Sequence, residues 1–281
     1  VARELTGFPC FYVVTSTNQS EGENPYEGVE PVIQFATDWL ATTDELNIPL
    51  ELAVHDLRWY GDWRLSICRR AAEMEGVSVV MPGGDWFLEA QTPLAAAALA
   101  NMAVVRGRRP AAITTTDRVK ELVRPLLQEK QAIEREQAVR LLRCQSIPAD
   151  WEGRWATPAD LPLLQKYEEQ VRRDGVDLNT SWKDFIDRRE LAVAAVSDAI
   201  VGSIRRYGPA PQFAGVADLY VLPEFRGSDL AKRLLGFAVS ELLATRRAVY
   251  VLTDQSDSDT NKFYEALGFV DAGTYYKASF K

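Results

Sequence analysis

The stretch from Asp218 to Leu235 constrains the fold most. Asp218-Leu219-Tyr220-Val221-Leu222 reads as a strand, Pro223 marks a turn, Arg226-Gly227-Ser228-Asp229 makes a short loop, and Leu230 opens an amphipathic helix to about Ala244. Leu230, Leu234, Phe237, Ala238 and Leu242 form one stripe of that helix. A strand that turns through a glycine loop straight into a helix belongs to an α/β layer architecture. The loop also carries chemistry. The first amides of a helix lack intrahelical partners and its dipole favours negative charge there, so this turn can cradle a diphosphate, with Arg226 as a cation at its edge. It has neither the GxxxxGK[ST] string of a P-loop nor the GxGxxG of a dinucleotide fold.

The same alternation runs along the chain. A seam at Gln145-Ser146-Ile147-Pro148-Ala149-Asp150 divides it into two domains, 1–148 and 149–281, as a length of 281 residues leads one to expect. In the first, helices are expected at Val29–Thr42, from Pro93 (capped by Thr92) to about Arg106, and from Asp117, as cap, to Gln128. Strands are expected at Val77–Met81, Ala111–Thr115 and Ala138–Cys144, and Thr15–Gly28 reads as a polar loop or mobile arm. In the second, a strand at Arg154–Ala156 precedes a helix capped around Thr157–Asp160, with Leu161, Leu164 and Tyr167 on its apolar face. Leu191–Val196 and Ile200–Tyr207 form a hairpin through Ser197-Asp198. Strands at Val216–Val221, Ala248–Thr253 and Tyr275–Phe280 and a helix at Thr260–Leu267 complete the half.

Composition narrows function. The charge of −8 (32 Lys and Arg against 40 Asp and Glu) gives no cationic footprint for nucleic acid. No apolar run approaches the roughly 18 residues of a membrane helix, and Val1–Pro9 has no signal-type block, so a soluble chain is expected. Cys10, Cys68 and Cys144 lack CxxC spacing, which argues against a disulfide framework or a zinc site and suits a reducing cytoplasm. His55 is the single histidine, which removes most mechanisms built on imidazole. Val1–Leu57 holds ten acids and one base, Arg3. That is either a solvated face or a wall that draws a cationic substrate. His55 and the aromatics Trp59, Tyr60, Trp63 and Trp86 read first as structural residues, with a substrate platform as the other reading of the aromatics.

Three separated segments, in order, carry a resemblance: Arg154–Leu164, the 218–235 stretch, and Asn261-Lys262-Phe263-Tyr264-Glu265-Ala266-Leu267-Gly268-Phe269. Together they resemble the GNAT superfamily of acyl-CoA-dependent N-acetyltransferases over about Gly153–Tyr276. The resemblance implies a mixed, mostly antiparallel sheet flanked by helices. The preceding α/β domain resembles, weakly, the N-terminal domains of some bacterial two-domain members, which are often degenerate copies of the same fold.

Carried over by position, the resemblance makes Arg226, Gly227, Ser228, Asp229, Leu230 and Ala231 the pyrophosphate loop. Leu219, Tyr220 and Val221 belong to the strand whose backbone meets the pantetheine arm, and Asn261 joins the cofactor-binding set. Tyr264 falls where the family places the acid that protonates the departing thiolate, its other reading being a phenol that only packs. Acetyl-CoA or another acyl-CoA is then the co-substrate, an amine the acceptor, and no metal, nucleic acid or membrane is implied. A homodimer is compatible with this reading.

One motif glycine is Asp229 here. Its carboxylate repels a diphosphate, unless Ser228 or Asp229 folds back to cap the helix at Leu230. For the base, Asp218 is the first candidate, its other reading being a strand-end residue held by a neighbouring Arg; Asp254 is the weaker candidate and reads mainly as a turn former. Tyr220, which shares a strand face with Asp218 by alternation, lines the acceptor site or belongs to the core. Two rival functions stand beside N-acyl transfer: a non-catalytic acyl-CoA sensor, and S- or O-acyl chemistry on the same scaffold.

Overall fold

A computed structural model describes residues 3–4, 11–15, 30–42, 48–57, 63–70, 73–105, 109–130, 132–148, 151–176, 178, 181–208 and 210–281. Cys10, Trp59, Tyr60, residues 16–28 of the polar stretch, and the acids Glu21, Glu23, Glu27, Asp44 and Glu45 lie outside them. The chain forms two compact units. The first comprises Val1–Leu141, Thr253–Asp257 and Ala272–Lys281, the second Leu142–Leu252 and Ser258–Asp271.

In the first unit, β1 (Arg3–Glu4), β2 (Phe11–Thr15), α1 (Glu30–Leu40) and α2 (Ile48–Asp56) precede an antiparallel run of β3 (Arg64–Arg70), β4 (Glu73–Val80) and β5 (Asp85–Ala90). The helix α3 (Pro93–Val105) leads to β6 (Ala112–Thr116), parallel to β5, and then to α4 (Asp117–Lys130) and β7 (Ile133–Cys144). The helix α2 is buried almost throughout and has no amphipathic period, so a search for apolar stripes does not find it. Thr92 caps α3 as its sequence requires, its Oγ1 accepting from Ala95 N at 3.2 Å. The cap of α4 is Thr116, whose Oγ1 accepts from Val119 N at 3.4 Å; the expected cap, Asp117, is the first helical residue instead. Trp63 and Trp86 are core residues, and Trp86 Nε1 donates to Ser78 Oγ at 2.7 Å. His55 is buried in α2, 3.9 Å from Glu51.

The second unit runs β8 (Arg154–Trp155), α5 (Leu161–Arg173), α6 (Trp182–Asp187), β9 (Leu191–Val196), β10 (Ala199–Tyr207) and β11 (Phe213–Val221). It continues through α7 (Leu230–Leu243), β12 (Ala248–Asp254), whose last two residues fall in the first unit, and α8 (Ser258–Glu265). β8, β9, β10 and β11 pair antiparallel in succession, and β12 lies parallel to β11. The order of strands and helices from β9 to α8 repeats that from β3 to α4: three antiparallel strands, a crossover helix, a parallel strand, a helix. The closing strand β13 (Val270–Phe280) pairs antiparallel with β6 through Tyr275–Ser279, inside the first unit.

The core of the second unit collects the apolar stripe of α7, with Leu234, Leu235, Ala238 and Val239 all buried, against β9, β10 and β11. Each such large aliphatic side chain contributes about 2 kcal/mol by leaving water. Gly236 on α7 is needed for packing, because a Cβ there meets the Trp151 ring at 2.1 Å. The start of α5 is fastened by Asp160, which accepts from Thr157 N at 2.7 Å and from both terminal nitrogens of Arg154 at 2.7 Å. That pairing holds the Asp160 carboxyl low, at about 2.

Among the described residues no helix is long and apolar enough to cross a membrane.

Candidate functional site

The candidate site is built from the end of β11, the loop it enters, the first turn of α7, and α8. After Val221 the chain makes a short 3-10 turn at Pro223–Phe225 and reaches Gly227 at φ +80°, where a Cβ would meet nothing. The glycine is required by backbone angle alone. Ser228 does not cap the helix: its Oγ donates to Phe225 O at 2.6 Å. Nor does Asp229, which stands as N-cap at φ +54° with no side-chain bond to the helix amides. Its carboxylate turns outward to Lys232 Nζ at 3.0 Å. The expectation that one of these side chains folds back onto the amides is therefore corrected. The left-handed backbone at Asp229 starts the helix without delivering the carboxylate to it.

The consequence is an open row of donors. Among the described residues, none of the backbone amides from Gly227 to Lys232 has a hydrogen-bond partner; the first helical bond is Arg233 N to Asp229 O at 2.9 Å. These amides meet the dipole of a 14-residue helix, the arrangement that binds an anion. Leu230 is buried and Ala231 half-buried, so they offer backbone and not side chain. Arg226 borders the row. Its Nε donates to Val221 O at 3.0 Å and its guanidinium lies 5.1 Å from the centre of the Tyr220 ring.

The strand feeding this loop is irregular where it matters. Tyr220 pairs with Ser203 and Ala217 with Arg205, so Asp218 and Leu219 together face Ile204 alone, and Asp218 takes φ +56°. This is a β-bulge, which bends the strand and re-aims its side chains. It breaks the two-residue alternation expected to put Asp218 and Tyr220 on one face. The Tyr220 hydroxyl donates to Asp174 Oδ2 at 2.6 Å, and its carbonyl accepts from Tyr167 at 2.9 Å. Asp218 Oδ2 instead accepts from Arg205 Nε at 2.7 Å, while Oδ1 has no partner among the described residues.

Asp218 and Arg205 stand on one side of a small nook open to solvent, with room for about one water. Leu178, Trp182, Phe185 and Leu191 make its apolar wall, and Ser203 completes the lining. Sequence reading missed this wall. The short α6, Trp-Lys-Asp-Phe-Ile-Asp, has no long period to reveal it, although its Trp and Phe are its signal.

On α8, Asn261 and Tyr264 are the buried residues. The Tyr264 ring packs edge-on against Phe263 and Phe269, with centroids 5.4 and 5.3 Å away. Burial, and after it the negative charge of Asp218, push the phenol up to about 12. It stays protonated at neutral pH. Asp254 belongs to the first unit, where Oδ1 accepts from Ser256 N at 2.8 Å and Oδ2 pairs with Arg135 at 3.2 Å, a turn former. No group of three or more His, Cys, Asp or Glu that could hold a metal occurs among the described residues.

Residues 187–271 match the family model described as an acetyltransferase (GNAT) domain. The fold is shared with a tandem GNAT protein from the clavulanic acid biosynthesis pathway, solved without acetyl-CoA. That protein is 13% identical, with a TM-score of 0.59 over 96% of this chain and 98% of that one. It is also shared with a GCN5-related N-acetyltransferase from Sphaerobacter thermophilus, 15% identical, with a TM-score of 0.58 over 95% of this chain and 94% of that one. No curated protein matches the chain in sequence.

Proposed function

We propose that this chain, whose second half carries a GNAT acetyltransferase domain, transfers an acetyl or other short acyl group from acyl-CoA to a primary amine of a small-molecule or peptide acceptor. The observation that carries the proposal is the unpartnered run of amides from Gly227 to Lys232 at the head of α7. It suits the diphosphate of coenzyme A, and Arg226 adds a cation at its edge. When bound, acyl-CoA supplies the activated acyl thioester. The backbone of Leu219–Val221 on β11 would hold the pantetheine arm, with Asn261 contributed by α8.

Asp218 would take the proton of the incoming ammonium at Oδ1, directly or through water, while Arg205 holds Oδ2. Tyr264 would hold a proton at its hydroxyl for the departing sulfur. The two roles are coupled. Burial keeps the phenol a weak acid, and the charge on Asp218 weakens it further. Once Asp218 has accepted the amine's proton that second contribution vanishes, and Tyr264 becomes the better acid at the moment it is needed.

The test follows thiol release from acetyl-CoA with a panel of primary amines and weighs the products. One N-acyl product per thiol released supports the proposal. Acyl-CoA binding with no product makes the chain a sensor, and an ester or thioester product moves it to O- or S-acyl chemistry. Tyr264→Phe should lower kcat by about 10²-fold with acyl-CoA affinity kept within two-fold. An unchanged kcat removes Tyr264 from the reaction.

A further inference from the structure

Arg226 stands exposed beside the open amides of α7. An unrestrained arginine in that place would surrender its rotamer freedom each time an anion arrived, which weakens binding. This one is restrained. Its Nε donates to Val221 O at 3.0 Å, and its guanidinium carbon lies over the Tyr220 ring, 5.1 Å from the centre. The ring is fixed in turn from its far end, where the hydroxyl donates to Asp174 Oδ2 at 2.6 Å. The Tyr220 backbone is pinned as well, since its carbonyl accepts from the buried Tyr167 at 2.9 Å. Asp174 is the C-cap of α5, so the phenol spans from the end of that helix to the donor loop.

We propose that Tyr220 is a positioning residue for the acyl donor: its ring holds the Arg226 guanidinium ready for the diphosphate and keeps it apart from the carboxylate of Asp174. This rests on the acyl-transfer reading of the same site. The side chain acts through Arg226 and need not touch the donor. Its value is that of a neutral spacer. Met directly, Asp174 would pair with Arg226 and neutralise the cation before an anion arrived. Through the phenol, the carboxylate is satisfied by an uncharged O–H, and the guanidinium rests on a ring face whose quadrupole attracts it without cancelling its charge. Burial, and after it the bond to Asp174, raise the phenol above its ordinary value, so it keeps the proton it donates.

The experiment is a double-mutant cycle in acetyl-CoA affinity, measured by calorimetry on the full chain. Arg226→Gln should weaken binding by about 10-fold. Tyr220→Ala should weaken it by about 5- to 10-fold, through the lost cation–π contact and the lost ordering of the guanidinium. Combined with Arg226→Gln, Tyr220→Ala should cost less than about 2-fold more, because the residue it positions is already gone. Adding Asp174→Asn to Tyr220→Ala should recover about 3-fold, since no carboxylate is then left to capture Arg226. Tyr220→Phe keeps the ring and removes the tie to Asp174. It runs the same cycle should Tyr220→Ala fail to fold, with a loss of about 3-fold in the wild-type background and none in Arg226→Gln.

Losses from Tyr220→Ala and Arg226→Gln that multiply in the double variant overturn the proposal and make Tyr220 a packing residue. Unchanged affinity in Tyr220→Ala, no recovery from Asp174→Asn, or a Tyr220→Phe cycle with no loss in either background overturns it too. All of these leave the donor site standing. Acetyl-CoA affinity that ignores Arg226→Gln, or no binding at all, overturns the reading of the site itself and this proposal with it.

Discussion

The two units pass through the same crossover and end it differently. Each sends a strand, β5 or β11, into a helix, α3 or α7, and then into a parallel strand, β6 or β12. In the first unit the strand ends at Ala90 and the helix begins at Pro93. Proline has no amide hydrogen, the Ala95 amide is taken by Thr92 Oγ1, and the Thr92 hydroxyl donates to the buried Glu75 at 3.0 Å. Buried Glu89 adds a second acid at the end of β5, paired with Arg118. In the second unit the strand ends at Val221 and the helix begins only at Leu230. That longer connection leaves its amides open and places Arg226 beside them. Topology is thus duplicated while the open row of amides, here proposed to hold a diphosphate, is not. What the fold can do is decided by the length and the capping of one connection.

Four measurements distinguish the two crossovers. Charge reversal at the open helix start, Arg226→Glu, should weaken acyl-CoA binding by about 10²-fold in a calorimetric titration. An unchanged affinity would make the two crossovers equivalent. Acid titration should separate α5 from α2 next, since Asp160 at the start of α5 and Glu51 within α2 are shifted in opposite directions. Asp160 in the second unit is held from 3.8 down to about 2, so the folded state binds its proton less readily than the unfolded chain. Its stabilisation is present above pH ~4 and is lost as pH falls toward 2, at a cost of roughly 1–2 kcal/mol. In the first unit burial lifts Glu51 from 4.5 to about 7. There the folded state binds the proton more readily, so stability is greatest below pH ~4.5 and declines as pH rises through 7. Hydrogen exchange read separately in α2 and α5 across this range should give slopes of opposite sign, and parallel slopes would contradict the assignment.

Thr92→Ala comes third. It should cost about 1 kcal/mol in thermal unfolding and leave acyl-CoA affinity untouched, because that cap serves only its helix. The smallest effect is expected of Asp229→Gly. Glycine adopts the left-handed backbone without strain and removes a carboxylate next to the open amides, so binding should tighten by a few-fold. Weaker binding would mean that Asp229 orders the loop.

Much of this is legible in the residues, and the remainder is not for identifiable reasons. The strand, turn, loop and helix of 218–243, the hairpin of β9 and β10 and the Thr92-Pro93 start of α3 follow from local chemistry: apolar period, capping side chains and glycine in a turn. The pairing of Asp218 with a neighbouring Arg is one of the two readings its sequence position allows, and Arg205 supplies that partner. The bulge that sets Asp218 apart from Tyr220 is hidden, since a register shift depends on the neighbouring strand and Asp at φ +56° has no sequence signal of its own. The capping role expected of Asp229 fails for a related reason. A good capping side chain acts only from an extended backbone, and this one is left-handed. The strand β3, with arginines at both ends, and the short α6 lack the period that a sequence reading needs.

The most direct measurement is a calorimetric titration of the intact chain with acetyl-CoA, repeated on Arg226→Glu and Thr92→Ala. One site per chain is expected, lost or severely weakened in Arg226→Glu and preserved in Thr92→Ala. Two sites per chain, none at all, or binding that ignores Arg226 would contradict the claim that the open start of α7 is where the acyl donor is held.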